Sequence, residues 1–131
     1  MSFMRDYNFG RAQELIVLPQ LAKFFNDDIK PAEDKYSKHD FIGREYVYEL
    51  KSRTNTFSAY PTTYLPADKV VKTRKQIFVF NFTDGLYYIE YDEEAWKDIT
   101  VAPFRRFRIG VNDKEKPYYH IPISLLKRIA V

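Results

Sequence analysis

Three side chains that could assist phosphodiester hydrolysis lie within one short stretch, at Asp40, Glu49 and Lys51. Hydrolysis of a phosphodiester requires attack on an anion and departure of an alkoxide, and a divalent metal ion assists both steps. Mg²⁺ takes hard oxygen ligands and keeps several water molecules, so few carboxylates are needed to hold it. Asp40 and Glu49 supply two carboxylates, and Lys51 supplies a cation that can neutralise developing charge or hold the attacking water.

The pattern from Asp40 to Lys51 predicts two short strands joined by a tight turn. Period-two alternation in the second strand places Glu49 and Lys51 on one face. With the turn at residues 43–44, Asp40 pairs with Val47 and lies diagonal to Glu49, at roughly 7–8 Å between Cα atoms. Both carboxylates could then reach one ion. Because a slip of one residue would move Asp40 to the opposite face, this prediction depends on the position of the turn.

A further acidic residue, Glu14, falls on the apolar stripe of a helix predicted over residues 8–25, with Asn8 as its N-cap and Pro19 kinking or ending a segment. The stripe consists of apolar side chains at helical spacing: Leu18, Leu21 and Phe25. Because burial of an unpaired carboxylate is costly, we expect this helix to bring Glu14 to the two carboxylates of the hairpin.

The remaining patterns predict further strands and helices around this site. We expect strands over 29–33, 76–82, 86–91, 104–109 and 118–123, a turn at 83–85, and helices over 65–73, 92–99 and 125–130. The order is a helix, three strands, a helix and further strands. It predicts a single domain over residues 1–131, of α/β class, with a central mixed sheet flanked by helices.

Composition excludes several classes of site. The chain has 131 residues, 45% hydrophobic and 30% charged, which suits one folded domain. It has no cysteine and only two histidines, so thiolate and histidine metal sites are not expected. No signal-peptide or membrane-spanning run is visible, which predicts a soluble, intracellular protein without membrane contact. The net charge of +3 permits nucleic-acid binding.

The order of the chemical residues resembles the PD-(D/E)XK nuclease superfamily: Glu14 on a helix, then Asp40, then Glu49-Leu50-Lys51. The stretches 38–43, 48–55 and 80–90 also resemble nuclease-like proteins of large DNA viruses. The resemblance covers about residues 9–91 and extends to small Holliday-junction resolvases. It implies a restriction-endonuclease-like αβββαβ core with the acid–x–lysine motif on the third core strand.

The resemblance also implies roles for individual residues. Asp40, Glu49 and the backbone carbonyl of Leu50 would hold Mg²⁺, or Mn²⁺ in its place. Lys51 would be the catalytic lysine, and Glu14 an accessory ligand of the metal or of water. The activity implied is hydrolysis of DNA, with junction or branched DNA as one option and RNA as another.

Basic and polar residues near the motif are candidates for phosphate contacts: Lys38, Arg53, Asn55, Lys69 and Lys72. Lys69 lies on the predicted second helix, where superfamily members often carry an extra site residue. A cluster at Arg105, Arg106 and Arg108 could contact phosphate or protect a sheet edge from aggregation. The tyrosines at positions 60 and 64 could stack on a base or simply pack, and the excess of tyrosine could form a homodimer interface.

Two other functions fit the same sequence. One is a nucleic-acid-binding module that keeps the fold without turnover, and the other is a structural protein that oligomerises through aromatic side chains. A purely structural interpretation of the motif also exists. In it, Asp40 caps a turn, while Glu49 and Lys51 form an ion pair on a solvated face.

Overall fold

A computed structural model describes residues 3–32, 39–104 and 116–130. The chain has mixed α/β structure, as the sequence predicts. The elements are α1 (Phe3–Phe25), β1 (Lys30–Pro31), β2 (Phe41–Ile42), β3 (Tyr46–Ser52), β4 (Thr62–Pro66), β5 (Lys75–Phe82), β6 (Gly85–Glu90), β7 (Thr100–Phe104), β8 (Lys116–Pro122) and β9 (Lys127–Arg128). Short 3-10 helices span Ala67–Lys69, Ala95–Asp98 and Ile123–Leu125. Within the described ranges, no helix is long and apolar enough to cross a membrane.

The strands form two sheets. The larger sheet has the order β1-β2-β3-β5-β6-β9, and β3 and β5 are its parallel pair. Its other neighbouring strands run antiparallel. The smaller sheet is antiparallel and has the order β4-β8-β7. In the larger sheet, β1, β2 and β3 are therefore antiparallel neighbours, and the next strand, β5, runs parallel to β3. Helix α1 precedes these strands in the chain.

The two faces of the larger sheet are covered by different partners. On one face, Tyr48 and Leu50 of β3 share a buried cluster with Leu21 of α1. On the other face, Phe78 of β5 shares a cluster with Leu65 of the smaller sheet. The expectation of helices flanking both faces is therefore wrong, because the described part of the chain covers the second face mainly with a sheet.

The helix predicted over residues 65–73 is not formed. The chain there completes β4 and then makes only the 3-10 turn Ala67–Lys69. In β4, Thr63 and Leu65 are buried and their neighbours are half-buried, which is the period-two pattern of a strand. Aromatic and β-branched side chains favour this conformation, and the apolar pair Val70-Val71 follows the turn without continuing a helix.

The prediction of a closing helix over residues 125–130 is also wrong. The segment is extended through β9, which pairs with β6. Leu126 packs in the cluster on the smaller-sheet side, whereas Ile129 packs in the cluster on the α1 side. Three residues apart, these side chains would share one face of a helix, but in an extended chain they point in opposite directions.

The other elements agree with the sequence to different degrees. The strands predicted over 29–33, 76–82, 86–91 and 118–123 are confirmed as β1, β5, β6 and β8 with shifted ends, and Phe82 pairs with Gly85 across the predicted turn. The helix begins at Phe3 and continues through Pro19 to Phe25, so Asn8 is not its N-cap. The helix predicted over 92–99 is a 3-10 turn, and residues 105–109 of the strand predicted over 104–109 lie outside the described residues.

Asp27, just after α1, ties the helix to the turn between β2 and β3. Its Oδ1 accepts a hydrogen bond from the backbone N–H of Arg44 at 3.0 Å, and its Oδ2 accepts one from the Tyr48 hydroxyl at 2.8 Å. The Arg44 guanidinium also lies 3.3 Å from Oδ1. A Cβ atom at Gly43 would collide with this carboxylate, so the turn needs glycine there. The position of the turn is therefore set by a contact with a distant part of the chain.

These contacts predict a pH-dependent contribution to stability. Burial alone would raise the pKa of Asp27, but the hydrogen bonds from Arg44 and Tyr48 outweigh it and hold the pKa below 3.8. The stabilisation is complete above the unfolded-state pKa and is lost as pH falls through the lower folded-state pKa. We expect Asp27→Asn to flatten the fall in the free energy of unfolding on acidification, measured by urea titration. Asp28→Asn, at an exposed neighbour, should retain the wild-type slope; equal slopes in all three proteins would refute the assignment.

Candidate functional site

The register of the β2–β3 hairpin differs from the predicted one. Ile42 pairs with Val47, and the N–H of Gly43 donates to the carbonyl of Tyr46 at 2.8 Å. The turn is therefore centred on residues 44–45, one position later than predicted, and Val47 is not the partner of Asp40. This shift moves the pairing along β3 by two positions. Because two positions is one full period of a strand, the shift leaves the face of each side chain unchanged.

Asp40 lies just before β2 and is bound to β3 on both sides of Glu49. Its N–H donates to the carbonyl of Tyr48 at 3.1 Å, and its Oδ2 accepts a hydrogen bond from the N–H of Leu50 at 2.8 Å. These two bonds hold the half-buried Asp40 carboxylate beside the Glu49 position. The predicted proximity of the two acids is therefore present, although it arises from a different register.

Glu49 is buried, with only 5% of its surface exposed. It pairs with Phe78 in the parallel register of β3 and β5, so its side chain lies on the face that the smaller sheet covers. Its Oε1 atom lies 3.2 Å from Nζ of Lys51 and 3.4 Å from Nζ of Lys69. The interpretation of Glu49 and Lys51 as an ion pair on a solvated face does not fit this burial.

The electrostatic environment of Glu49 combines opposing effects. Burial raises the pKa of its carboxyl group, and the nearby Asp40 carboxylate raises that pKa further. Lys51 and Lys69 act in the opposite direction and favour the charged form. The carboxylates of Asp40 and Glu49 and the ammonium groups of Lys51 and Lys69 thus interact electrostatically as one cluster, around a Glu49 side chain on the face of the larger sheet that the smaller sheet covers.

Two carboxylates are the side-chain oxygen ligands that this site could offer to a divalent cation. Asp40 and Glu49 offer carboxylate oxygens, and Mg²⁺ needs few protein ligands because it retains water. Among the described residues, no three side chains of His, Cys, Asp or Glu form a group that could hold a metal ion. Any ion at this site would therefore depend on the two carboxylates, with water and backbone carbonyls such as that of Leu50 completing its coordination.

Glu14 is not brought into one group with Asp40 and Glu49. It is half-buried on α1, whose buried side chains Val17 and Leu21 contact the opposite face of the sheet from Glu49. The neighbouring Gln13 accepts a hydrogen bond from the Asn81 amide at 2.7 Å, which fixes this part of the helix against β5. The role of Glu14 as an accessory ligand stays a prediction.

Among the described residues predicted to contact nucleic acid, Lys69 is the one with an ion pair to Glu49. The 3-10 turn at Ala67–Lys69 directs it to Glu49, although the sequence placed it on an α-helix. Lys72 instead pairs with Glu93 at 3.5 Å, and both side chains are exposed. Asn55 donates to the carbonyl of Thr56 in the loop after β3. Lys38 and the arginines at 105, 106 and 108 lie outside the described residues.

Arg53 connects the two sheets. Its Nε donates to the Thr63 hydroxyl at 3.2 Å, its Nη2 donates to the carbonyl of Tyr64 at 2.5 Å, and its guanidinium lies over the Phe80 ring. These contacts direct the guanidinium toward β4, so a phosphate contact by Arg53 would compete with them. Tyr60 is 62% exposed, whereas the Tyr64 ring packs against His120.

Sequence reasoning missed Gln76, which follows Lys75 at the start of β5 and precedes its apolar run. It is 1% exposed, and its amide contacts the segment that carries Lys69. The available signal was the presence of an amide at the start of an almost wholly apolar strand, where an unpaired polar group would be costly.

Comparison of the chain with protein-family models, with curated proteins and with solved structures finds no match.

Proposed function

We propose that this chain is a metal-dependent nuclease that hydrolyses DNA phosphodiester bonds. The observation that carries the proposal is the buried Glu49 carboxylate, held beside Asp40 and contacted by two lysines. An exposed glutamate–lysine pair is common and contributes little to stability, whereas burial of a carboxylate is costly, and buried charged groups with close ionic partners are concentrated at functional sites.

The order of elements supports the same proposal. An α-helix, three antiparallel strands and a parallel neighbour of the third strand resemble the order expected at the start of the proposed restriction-endonuclease-like core. The acid–x–lysine motif lies on β3, the third strand. The crossover from β3 to β5 differs from that core in the described residues, since it contains β4 and a 3-10 turn where the core has an α-helix.

In this mechanism Asp40, Glu49 and the Leu50 carbonyl would hold Mg²⁺. A bound divalent ion neutralises the scissile phosphate and lowers the pKa of coordinated water. Lys51, whose side chain is 22% exposed, would orient the attacking water or stabilise charge developing on the phosphate. Lys69 supplies a second positive charge on the same side of Glu49.

A binding module without turnover is the second candidate. It is favoured by one observation: Lys51 and Lys69 both contact the same oxygen of Glu49, so two cations of the protein offset the charge of this carboxylate. Such a protein would bind DNA with a steep dependence on salt and release no metal-dependent product.

A crystal soaked in Mn²⁺ tests the proposal directly. We expect an anomalous-scattering peak within coordination distance of both Asp40 and Glu49, because Mn²⁺ accepts the oxygen ligands that Mg²⁺ prefers. The peak should disappear in Asp40→Asn and persist in Asp68→Asn, a change on the same crossover as Lys69. Absence of the peak in wild-type crystals at saturating Mn²⁺ would overturn the metal-dependent mechanism.

A further inference from the structure

The buried side chain of Gln76 holds the segment between β4 and β5. Its Nε2 donates to the carbonyl of Lys69 at 2.8 Å, and its Oε1 accepts from the N–H of Val71 at 2.8 Å. Both ends of the amide are therefore used, and both contact the same three-residue stretch of backbone. The backbone carbonyl of Gln76 also accepts a hydrogen bond from the backbone N–H of Tyr91 at 3.0 Å, which fixes the position of Gln76 in the sheet.

Gln76 lies on the same face of the sheet as Glu49. It pairs with Val47 on β3, and Glu49 pairs with Phe78, so the two side chains are one strand period apart on neighbouring strands. The segment that Gln76 holds has little support from strand pairing. Within the described residues, the backbone hydrogen bonds of this segment are local: the N–H of Val70 donates to the carbonyl of Ala67, and the N–H of Arg74 donates to the carbonyl of Val71.

We propose that Gln76 is a positioning residue of the site, which holds the backbone of Lys69 so that the lysine ammonium lies against Glu49. The catalytic consequence of this role rests on the proposed nuclease function. A lysine side chain has several rotatable bonds, so the place of its ammonium group is defined only if its backbone is fixed. Gln76 lies on β5, an interior strand of the sheet, and fixes that backbone through its two hydrogen bonds. In other proteins, residues behind the catalytic or metal-binding groups orient those groups in the same way.

A double-mutant cycle separates positioning from general stability. We expect Gln76→Met to lower the rate of Mg²⁺-dependent cleavage by about 10-fold. In a Lys69→Met background the same change should cause no further loss, because the group that Gln76 positions is already absent. A full additional loss in that background would show that Gln76 does not act through Lys69.

Gln13→Met is the matched control. It also replaces a glutamine amide, and it removes the hydrogen bond that Gln13 accepts from the Asn81 side chain on the α1 side of the sheet. Urea unfolding should show a loss of stability in both methionine variants, whereas the cleavage rate should fall only in Gln76→Met. Equal loss of cleavage in the two variants would assign Gln76 a merely structural role.

A crystal structure of Gln76→Met gives a readout that does not depend on cleavage. We expect Nζ of Lys69 to move beyond ion-pair distance of Glu49, from 3.4 Å in the wild type, while Lys51 stays in place. Lys69 remaining at Glu49 would overturn the inference even if the chain is a nuclease. Conversely, failure of the wild type to cleave with any metal would refute the proposed function, and the crystal structure would still decide the positioning.

If Gln76→Met does not fold, Gln76→Glu provides the same test. With its carboxyl group ionised at the pH of the crystals, it keeps the acceptor for the N–H of Val71 and loses the donor to the carbonyl of Lys69. Displacement of Lys69 in this variant supports the inference, and an unmoved Lys69 contradicts it.

Discussion

Glu49→Gln is expected to cleave DNA at least about 10³-fold more slowly than the wild type in Mg²⁺. A metal ion contributes several kcal/mol of charge stabilisation in the transition state, and about 4 kcal/mol corresponds to three orders of magnitude in rate. The change keeps the shape of the side chain but removes the negative charge that we propose binds the ion. Single-turnover cleavage at saturating enzyme measures the effect on the chemical step.

Glu45→Gln is the control for this prediction. Glu45 lies at the turn before the same strand and pairs with Lys75, but its side chain is 71% exposed. The control should cleave at the wild-type rate, and circular dichroism should show that both variants are folded. Wild-type cleavage by Glu49→Gln would mean that Glu49 is not a metal ligand. We expect Lys51→Ala to behave like Glu49→Gln and Lys75→Ala to behave like Glu45→Gln.

Replacement of Mg²⁺ by Ca²⁺ is expected to abolish cleavage while DNA binding is retained. Both ions neutralise the carboxylates and the phosphate, but Ca²⁺ takes more ligands at longer distances in a flexible geometry. The coordination needed to activate water beside Lys51 would then be lost. Binding is measured by fluorescence anisotropy with a labelled duplex in Ca²⁺, and cleavage by product formation after addition of Mg²⁺ or Mn²⁺.

The metal-free protein provides the control for that experiment. With EDTA, Lys51 and Lys69 remain the partners of Glu49, so we expect weaker DNA binding and no product. Turnover in Ca²⁺ equal to that in Mg²⁺ would contradict the mechanism. Binding without product in any metal would instead favour the binding module.

Local patterns account for much of the fold. The apolar run of β5 and the turn before Gly85 predict a hairpin that the structure contains almost unchanged. Alternation within β3 predicts that Tyr48 and Leu50 share one face and that Glu49 lies on the other, and this is also observed. These predictions succeed because strand periodicity and turn preferences depend on adjacent residues.

Elements that depend on distant contacts were less predictable. The turn of the β2–β3 hairpin lies one residue later than local preference suggests. The N–H of Arg44 donates to the Asp27 carboxylate there, and Gly43 leaves room for that carboxylate. The segment predicted to be the last helix is extended, because Leu126 and Ile129 pack in clusters on opposite sides of the sheet. In both cases tertiary packing overrides local propensity.

The sequence by itself determined that Glu49 and Lys51 share one face of a strand and that Asp40 lies close before it. The tertiary structure decided that Glu49 is buried, that Lys69 reaches it from the segment after β4, and that Gln76 holds that segment. It also decided that α1, the helix that contains Glu14, packs on the other face of the sheet. Periodicity is set by neighbours along the chain, whereas burial and pairing depend on which distant elements cover each face.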